Sequence, residues 1–329
     1  MVKKNLAIAC MLGLGLACGR RSNRTEGNAS ASAIRSNSPP TTGARAPDRL
    51  EPTRLTKMAV SAYSTSLALD DNAVYLLTTN AAYRMVAGQP VQGIELDLGI
   101  GAVLTPSAFI YWSKGNIWRA PKEGGQARTL AKFPHQLQYF VNWGDSFAWV
   151  DRSDEGLYTI QTLKGTKPRT LVSSTGEISA LDMIDESVYF VQRPTDGSWR
   201  IGSVRVTSGE IEYSAERKGR TPSMLTGSDD IYYYDVDKSE IRRLLPNLRG
   251  EETVLTKFVC SPINAANRIY CGCVEGLFDV SKETRKARVL VYGRQGSITN
   301  IKANDKLVAW TVDAGPNMLA VDMLPALGG

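Results

Sequence analysis

One pattern recurs seven times along the 329-residue chain and limits its fold more than any other feature. A β-branched or aromatic residue leads into Tyr or Trp at Val74-Tyr75, Ile110-Tyr111, Phe147-Ala148-Trp149, Val188-Tyr189, Ile231-Tyr232, Ile269-Tyr270 and Val308-Ala309-Trp310. The first residues of successive stamps lie 36, 37, 41, 43, 38 and 39 positions apart. Repeats of this length, made of strand-forming residues, predict an all-β, seven-bladed β-propeller with four strands per blade.

Blade four shows the expected layout, with strands over 178–184, 187–192 and 199–206 and a fourth over 209–213. Asp185-Glu186, Pro194-Thr195-Asp196-Gly197 and Thr207-Ser208-Gly209 separate them as hairpin signals. The first turn recurs as Asp70-Asp71, Gly144-Asp145, Asp229-Asp230 and Asn304-Asp305, residue types that tolerate tight-turn backbone angles. An outer-strand stamp recurs as Arg128-Thr129-Leu130, Arg169-Thr170-Leu171, Thr253-Val254-Leu255 and Arg288-Val289-Leu290. It appears once before any blade has begun, at Arg54-Leu55-Thr56-Lys57, while the stretch after Val308 is too short for an outer strand. The expectation is that this early segment closes the last blade and removes two exposed sheet edges.

Ile110-Tyr111-Trp112, followed by Gly115-Asn116-Ile117-Trp118-Arg119 and Gly124-Gly125, resembles the YWTD and TolB type of propeller repeat. The resemblance reaches most of the folded chain and is strongest in blade two. It implies a secreted or periplasmic propeller, often protein-binding and sometimes an enzyme. Those families often have six blades against the seven counted here, so no site residues transfer from them.

The N-terminus reads as a secretory signal over 1–17, with Lys3 and Lys4 before an apolar run too short to span a bilayer. Leu14-Gly15-Leu16-Ala17-Cys18-Gly19 resembles the lipobox of bacterial lipoproteins, differing at Gly15 where that family usually has Leu. The resemblance implies cleavage before Cys18 and a lipid on that residue, and Gly19 implies the outer membrane. An ordinary secretory signal is the other reading. Residues 18–50, rich in Ser, Asn, Arg, Pro, Thr and Ala, are expected to be a disordered tether, because they cannot bury enough apolar surface to offset chain entropy. Its flexible reach is about 30 Å. The propeller is assigned to 51–329.

The formal charge of +6 sits largely in the tether, in Arg20, Arg21, Arg24, Arg35, Arg45 and Arg49 against Glu26 and Asp48. The blades are therefore near neutral and give no nucleic-acid footprint. A single histidine, His135, removes most triad, zinc and histidine-base chemistries. His135 itself, in a connection between blades, is read as a loop residue. Cys260 and Cys271 fall opposite each other in a hairpin centred near 265.5, since 260 + 271 = 531, and an extracytoplasmic address permits a disulfide. Cys273, on the same strand face as Cys271, is the alternative partner.

Second-to-third-strand loops of blades three to five carry Asp151, Arg152, Asp154, Arg193, Asp196, Asp235, Asp237 and Lys238. Adjacent blades would gather these into a mixed-charge binding rim; solvated hairpin tips are the alternative. No phosphate loop, dinucleotide fingerprint, nucleophile elbow or zinc-protease motif occurs, so no catalytic residue, cofactor or metal is assigned. The expected function is a membrane-tethered binding or scaffold module for protein or cell-envelope glycan. The alternative is a lyase, hydrolase or quinone-dependent dehydrogenase working at the central channel.

Overall fold

The computed structural model describes residues 51–59, 65–98, 101–133, 135, 137–194, 196–222, 225–227, 229–245, 248–256, 261–265, 268–273, 276–292, 298–315 and 318–326. Twenty-eight strands and no α-helix are found among them. β1 is Thr53–Met58. Blade one holds β2–β5 (Ser66–Leu69, Val74–Leu77, Ala81–Met85, Gln92–Glu95) and blade two β6–β9 (Gly101–Leu104, Ala108–Ser113, Asn116–Pro121, Arg128–Lys132). Blade three holds β10–β13 (Leu137–Trp143, Ser146–Arg152, Tyr158–Lys164, Lys167–Ser174) and blade four β14–β17 (Glu177–Ile184, Ser187–Arg193, Arg200–Arg205, Ile211–Tyr213). Blade five holds β18–β21 (Leu225–Gly227, Ile231–Asp235, Glu240–Leu244, Glu251–Thr256) and blade six β22–β25 (Ser261–Ala265, Arg268–Cys273, Gly276–Ser281, Ala287–Tyr292). Blade seven holds β26–β28 (Ile298–Ala303, Leu307–Asp313, Leu319–Pro325).

Each blade is an antiparallel meander in chain order. The first strands touch their neighbours all the way round, β26 meeting β2, so they form the inner wall of a closed ring of seven sheets. β1 is hydrogen-bonded to β28 as the fourth strand of the last sheet, from Thr53↔Met323 to Met58↔Leu319. Arg54 donates both from Nε and from Nη2 to the buried carboxylate of Asp322 across this pair, the second bond at 3.1 Å.

The hydrophobic core is divided among the seams. Seven clusters of buried residues occupy the seven blade-to-blade contacts, one each. The repeated stamp explains this. Alternate residues of a strand point to opposite sheet faces, so each stamp dipeptide feeds two seams. Val74 packs toward blade seven and Tyr75 toward blade two, while Tyr232 and Ile231 do the same for the seams around blade five. Trp149, Trp310, Tyr75, Tyr232, Tyr233 and Tyr270 are essentially fully buried. Burial of a side chain this large contributes roughly 1.5–3 kcal/mol.

The meander gives the ring two unlike faces. First-to-second and third-to-fourth turns lie on one, here termed the turn face. Second-to-third loops and the connections between blades lie on the other, the loop face. The start of β1, at Thr53, lies at the turn-face end of blade seven.

Turn-face side chains stitch blade to blade. The Asp70 carboxylate accepts the Asn72 and Ala73 N–H groups (both 2.8 Å), the Tyr75 hydroxyl (3.0 Å) and the Lys122 ammonium of blade two (2.9 Å). Lys282 of blade six reaches Asp229 of blade five in the same way (2.6 Å), and Lys306 of blade seven reaches Asp71 (2.5 Å). Asn142 and Asn304 donate to the Leu104 and Asp70 carbonyls of the neighbouring blade. Asp185 and Glu186 both adopt the left-handed conformation, as a two-residue hairpin turn requires. The recurrent turn acids thus have turn-forming and seam-bridging partners.

In blade six the register is Ser261↔Gly272, Pro262↔Cys271 and Ala265↔Arg268. The sum is 533, two more than the sequence reading used, because the turn falls after Ala265 rather than around it. Cys271, buried on β23, lies opposite Pro262 and is disulfide-bonded. Cys260 and Cys18 are outside the described residues.

Candidate functional site

All eight rim residues named from the sequence lie on the loop face, on or just beyond the ends of β11, β15 and β19. They do not form one network among the described contacts. Arg193 meets Glu177 of its own blade at 3.3 Å. Asp196 accepts the Ser198 N–H (3.0 Å) and hydroxyl (2.8 Å), which holds its carboxyl below the usual range. Asp235 accepts the Lys238 N–H at 3.2 Å. Asp237 reaches the blade four to five connection and accepts the Arg220 N–H at 2.7 Å. A Cβ on Gly219 would collide with that carboxylate, so glycine is what lets the connection approach. Arg152 lies over the Tyr158 ring, 5.2 Å from its centroid. Asp154 is exposed.

Asp151 is different from the other seven. It continues the buried run of β11 and is only 5% exposed, so it is not a solvated loop tip. Residues Phe147, Trp149 and Asp151 alternate onto the face toward blade two, where Phe147 and Trp149 join Phe133 in one cluster. Phe133 stands edge-on to Trp149 (centroids 5.3 Å apart), and His135 stands edge-on to Phe133 (5.6 Å). The Phe133 carbonyl accepts the indole N–H of Trp112 at 2.9 Å, fixing the connection that carries His135.

Five buried side-chain polar atoms among the described residues have no hydrogen-bond partner, and two of them, Trp149 Nε1 and Asp151 Oδ1, sit two residues apart on this one strand face. Each such atom costs roughly 1–3 kcal/mol, so a pair on one face is a concentration of unfavourable free energy. Burial pushes the Asp151 carboxyl above its ordinary range, with His135 and the Arg152 N–H drawing it back. On the opposite face of blade three, in the seam with blade four, burial and then the Glu177 charge raise the Tyr139 hydroxyl. His135, read from the sequence as a loop residue, is the group whose charge most opposes the rise of Asp151. Trp149 was not foreseen as a polar participant. An acid that directly follows the apolar run Phe147–Val150, with no turn residue between, was the available signal.

A shallow cavity lies between blades four and five near the turn face, lined by Ile184, Tyr189, Glu212, Asp230, Leu244 and Leu248 among others. Among the described residues no three His, Cys, Asp or Glu side chains converge in a way that could hold a metal ion.

No protein-family model matches the chain. No curated protein matches it either. Solved structures do match. An oligogalacturonate lyase in complex with manganese is 11% identical, with 83% of this chain and 92% of that chain covered and a TM-score of 0.64. The Pan2 WD40 domain of Neurospora crassa is 10% identical, with 84% and 96% covered and a TM-score of 0.59. A chain of a nidogen–laminin complex is 14% identical, with 68% and 91% covered and a TM-score of 0.46. At these identities the likeness is one of fold. The chain is a seven-bladed β-propeller, an architecture shared by an enzyme and by a WD40 domain.

Proposed function

We propose that this propeller is an extracytoplasmic binding module, held at a bacterial envelope membrane through lipid on Cys18 and presenting its loop face to a protein or envelope glycan. The outer membrane is its proposed residence. One observation carries this reading. The loops of blades three to five that carry the charged residues lie on the face opposite the start of β1. The manganese of the lyase is not brought across, because the described residues offer no converging ligand set. In an oxidising compartment Cys260 is proposed to pair with Cys271 or Cys273, which peptide mapping before and after reduction decides.

The test is charge reversal at Asp154 and Asp196 in the full chain, followed by capture from envelope extracts. Both carboxylates are exposed, so the fold is expected to keep its stability. Loss of a defined protein or glycan band supports the rim. Unchanged capture, or capture of nothing by the unaltered chain, removes it.

A further inference from the structure

We propose that the cavity between blades four and five, near the turn face, binds the side chain of a lysine presented by a partner polypeptide. The site goes beyond the reading above and does not rest on it, because the rim lies on the opposite face.

The cavity follows from the register of two sheets. In blade four Tyr189 stands opposite Ser203 and Ser203 opposite Glu212, so three polar side chains form a row across β15, β16 and β17. All three line the cavity. Blade five supplies the other wall. Its third-to-fourth turn brings in Leu245 and Leu248, the latter buried and in the left-handed conformation, and its first-to-second turn brings in Asp229 and Asp230. Ile184, Ile231 and Leu244 complete an aliphatic floor. The space is about 140 Å³, which admits one side chain and no larger segment. It is reachable from solvent, since Glu212 is exposed and Tyr189, Ser203 and Leu245 are half-buried.

The lining selects the chemistry. Among the described residues three carboxylates line the cavity and no cation does. Asp229 is held by Lys282 at 2.6 Å and Asp230 by Arg243 at 2.7 Å. Glu212 has no ion pair among the described residues, and the Tyr189 and Ser203 hydroxyls bond to none of them. The row is close-set: the Tyr189 hydroxyl is raised by burial, then by the Glu212 and Asp230 charges, with Arg205 opposing. An anion would meet the carboxylates with like charge. A wholly apolar group would cover Glu212 and leave its charge unpaired. A lysine suits both walls, its methylenes lying along the leucines and its ammonium at the oxygens. The three N–H groups of that ammonium find one acceptor each in Glu212, Tyr189 and Ser203. A guanidinium fork is best met by the two oxygens of one carboxylate, whereas these acceptors are spread over three strands.

The full chain, ¹³C-labelled at its leucine methyls, is titrated with Nα-acetyl-lysine methylamide and with its Nζ-acetylated, norleucine and arginine counterparts. The Leu245 and Leu248 methyl signals are followed by NMR. The expected result is saturable movement with the lysine amide at a Kd of roughly 1–10 mM, and binding at least about tenfold weaker for the Nζ-acetylated and norleucine forms. Glu212→Gln should weaken the lysine amide about tenfold and Tyr189→Phe about threefold. Asp305→Asn, which removes the same charge from an exposed turn-face site on blade seven, should change nothing. Glu212 is exposed, so its variant is expected to fold, and thermal unfolding reports whether each variant has done so. Absence of saturable shifts up to about 100 mM lysine amide would overturn the proposal. Equal affinity for the Nζ-acetylated form would reduce the site to an apolar cleft and overturn it too, as would undiminished binding in folded Glu212→Gln. Tighter binding of the arginine amide would overturn the choice of lysine. Charge reversal at Asp154 and Asp196 on the loop face leaves this result unchanged, so failure of one reading does not carry the other with it.

Discussion

Asp70 on the turn face and Asp151 on the loop face are both mostly buried carboxylates at the end of an inner hairpin, and their surroundings drive them in opposite directions. Burial alone would raise Asp70, yet the N–H groups of Asn72 and Ala73, the Lys122 ammonium and the Tyr75 hydroxyl together bring it below its ordinary range. Burial raises Asp151, and its Oδ1 has no described partner. The same residue type is a bridging element in one place and an unsatisfied group in the other. The turn face is built for stability: its acids are consumed by turns and by seams, and Tyr75, bonded to Asp70, has its hydroxyl raised to about 12 by burial and by that charge. The corner at blades two and three instead holds two unpaired polar atoms, Trp149 Nε1 and Asp151 Oδ1.

The largest stability effect is expected from Asp70→Ala. It removes four hydrogen bonds, one of them from the Tyr75 hydroxyl, at a cost of about 3 kcal/mol in denaturant unfolding. A loss below about 0.5 kcal/mol would erase the contrast between the faces.

A smaller effect, with the opposite pH sign, is expected from Asp182 on the inner strand of blade four. Its carboxyl accepts the Gly227 N–H of blade five at 2.7 Å. Burial raises it to about 6, opposed by the Met183 N–H, by Lys302 of blade seven and by the Gly227 N–H. The folded state therefore binds a proton more tightly than the unfolded chain between about pH 4 and 6. Stability from this group is present on the acid side and lost as pH rises through that window. The residue keeps partial solvent contact, so the change is at most about 2 kcal/mol. Asp182→Asn should flatten the stability profile there. A wild-type profile that rises with pH across the same window, unaltered in the variant, would contradict the assignment. Asp70, whose folded value is lowered, contributes stability above the unfolded value that is lost on acidification, so the two acids pull the profile in opposite senses.

Much of the ring was legible in the chain because a strand buried on both faces must be apolar throughout, and seven such strands at regular spacing leave few alternatives. The same physics hid the details. A strand without polar alternation does not say which residue faces which seam. In blade two Ile110 packs toward blade three and Tyr111 toward blade one, a phase one residue out of step with Val74-Tyr75. The blade-six hairpin was misaligned for a related reason. Asn264 and Asn267 both suit a turn, and the apolar pattern could not choose between centres. The rim was readable as a set of loop residues on one face. Its internal partners, such as Asp237 with Arg220, depend on where the blade connections fall. Asp151 was grouped with that rim because charge suggests a loop, whereas its strand runs on through it into burial.

The central claim is that the Trp149–Asp151 corner holds unpaired polar atoms and, unlike Asp70, is not a structural bridge. Denaturant unfolding of Asp151→Leu beside the unaltered chain tests it most directly. The account predicts a variant that is equally stable or more stable by up to about 1 kcal/mol, because an unpartnered buried oxygen is exchanged for apolar surface. A loss of about 3 kcal/mol, matching that expected for Asp70→Ala, would show that Asp151 is a structural bridge like its counterpart on the turn face.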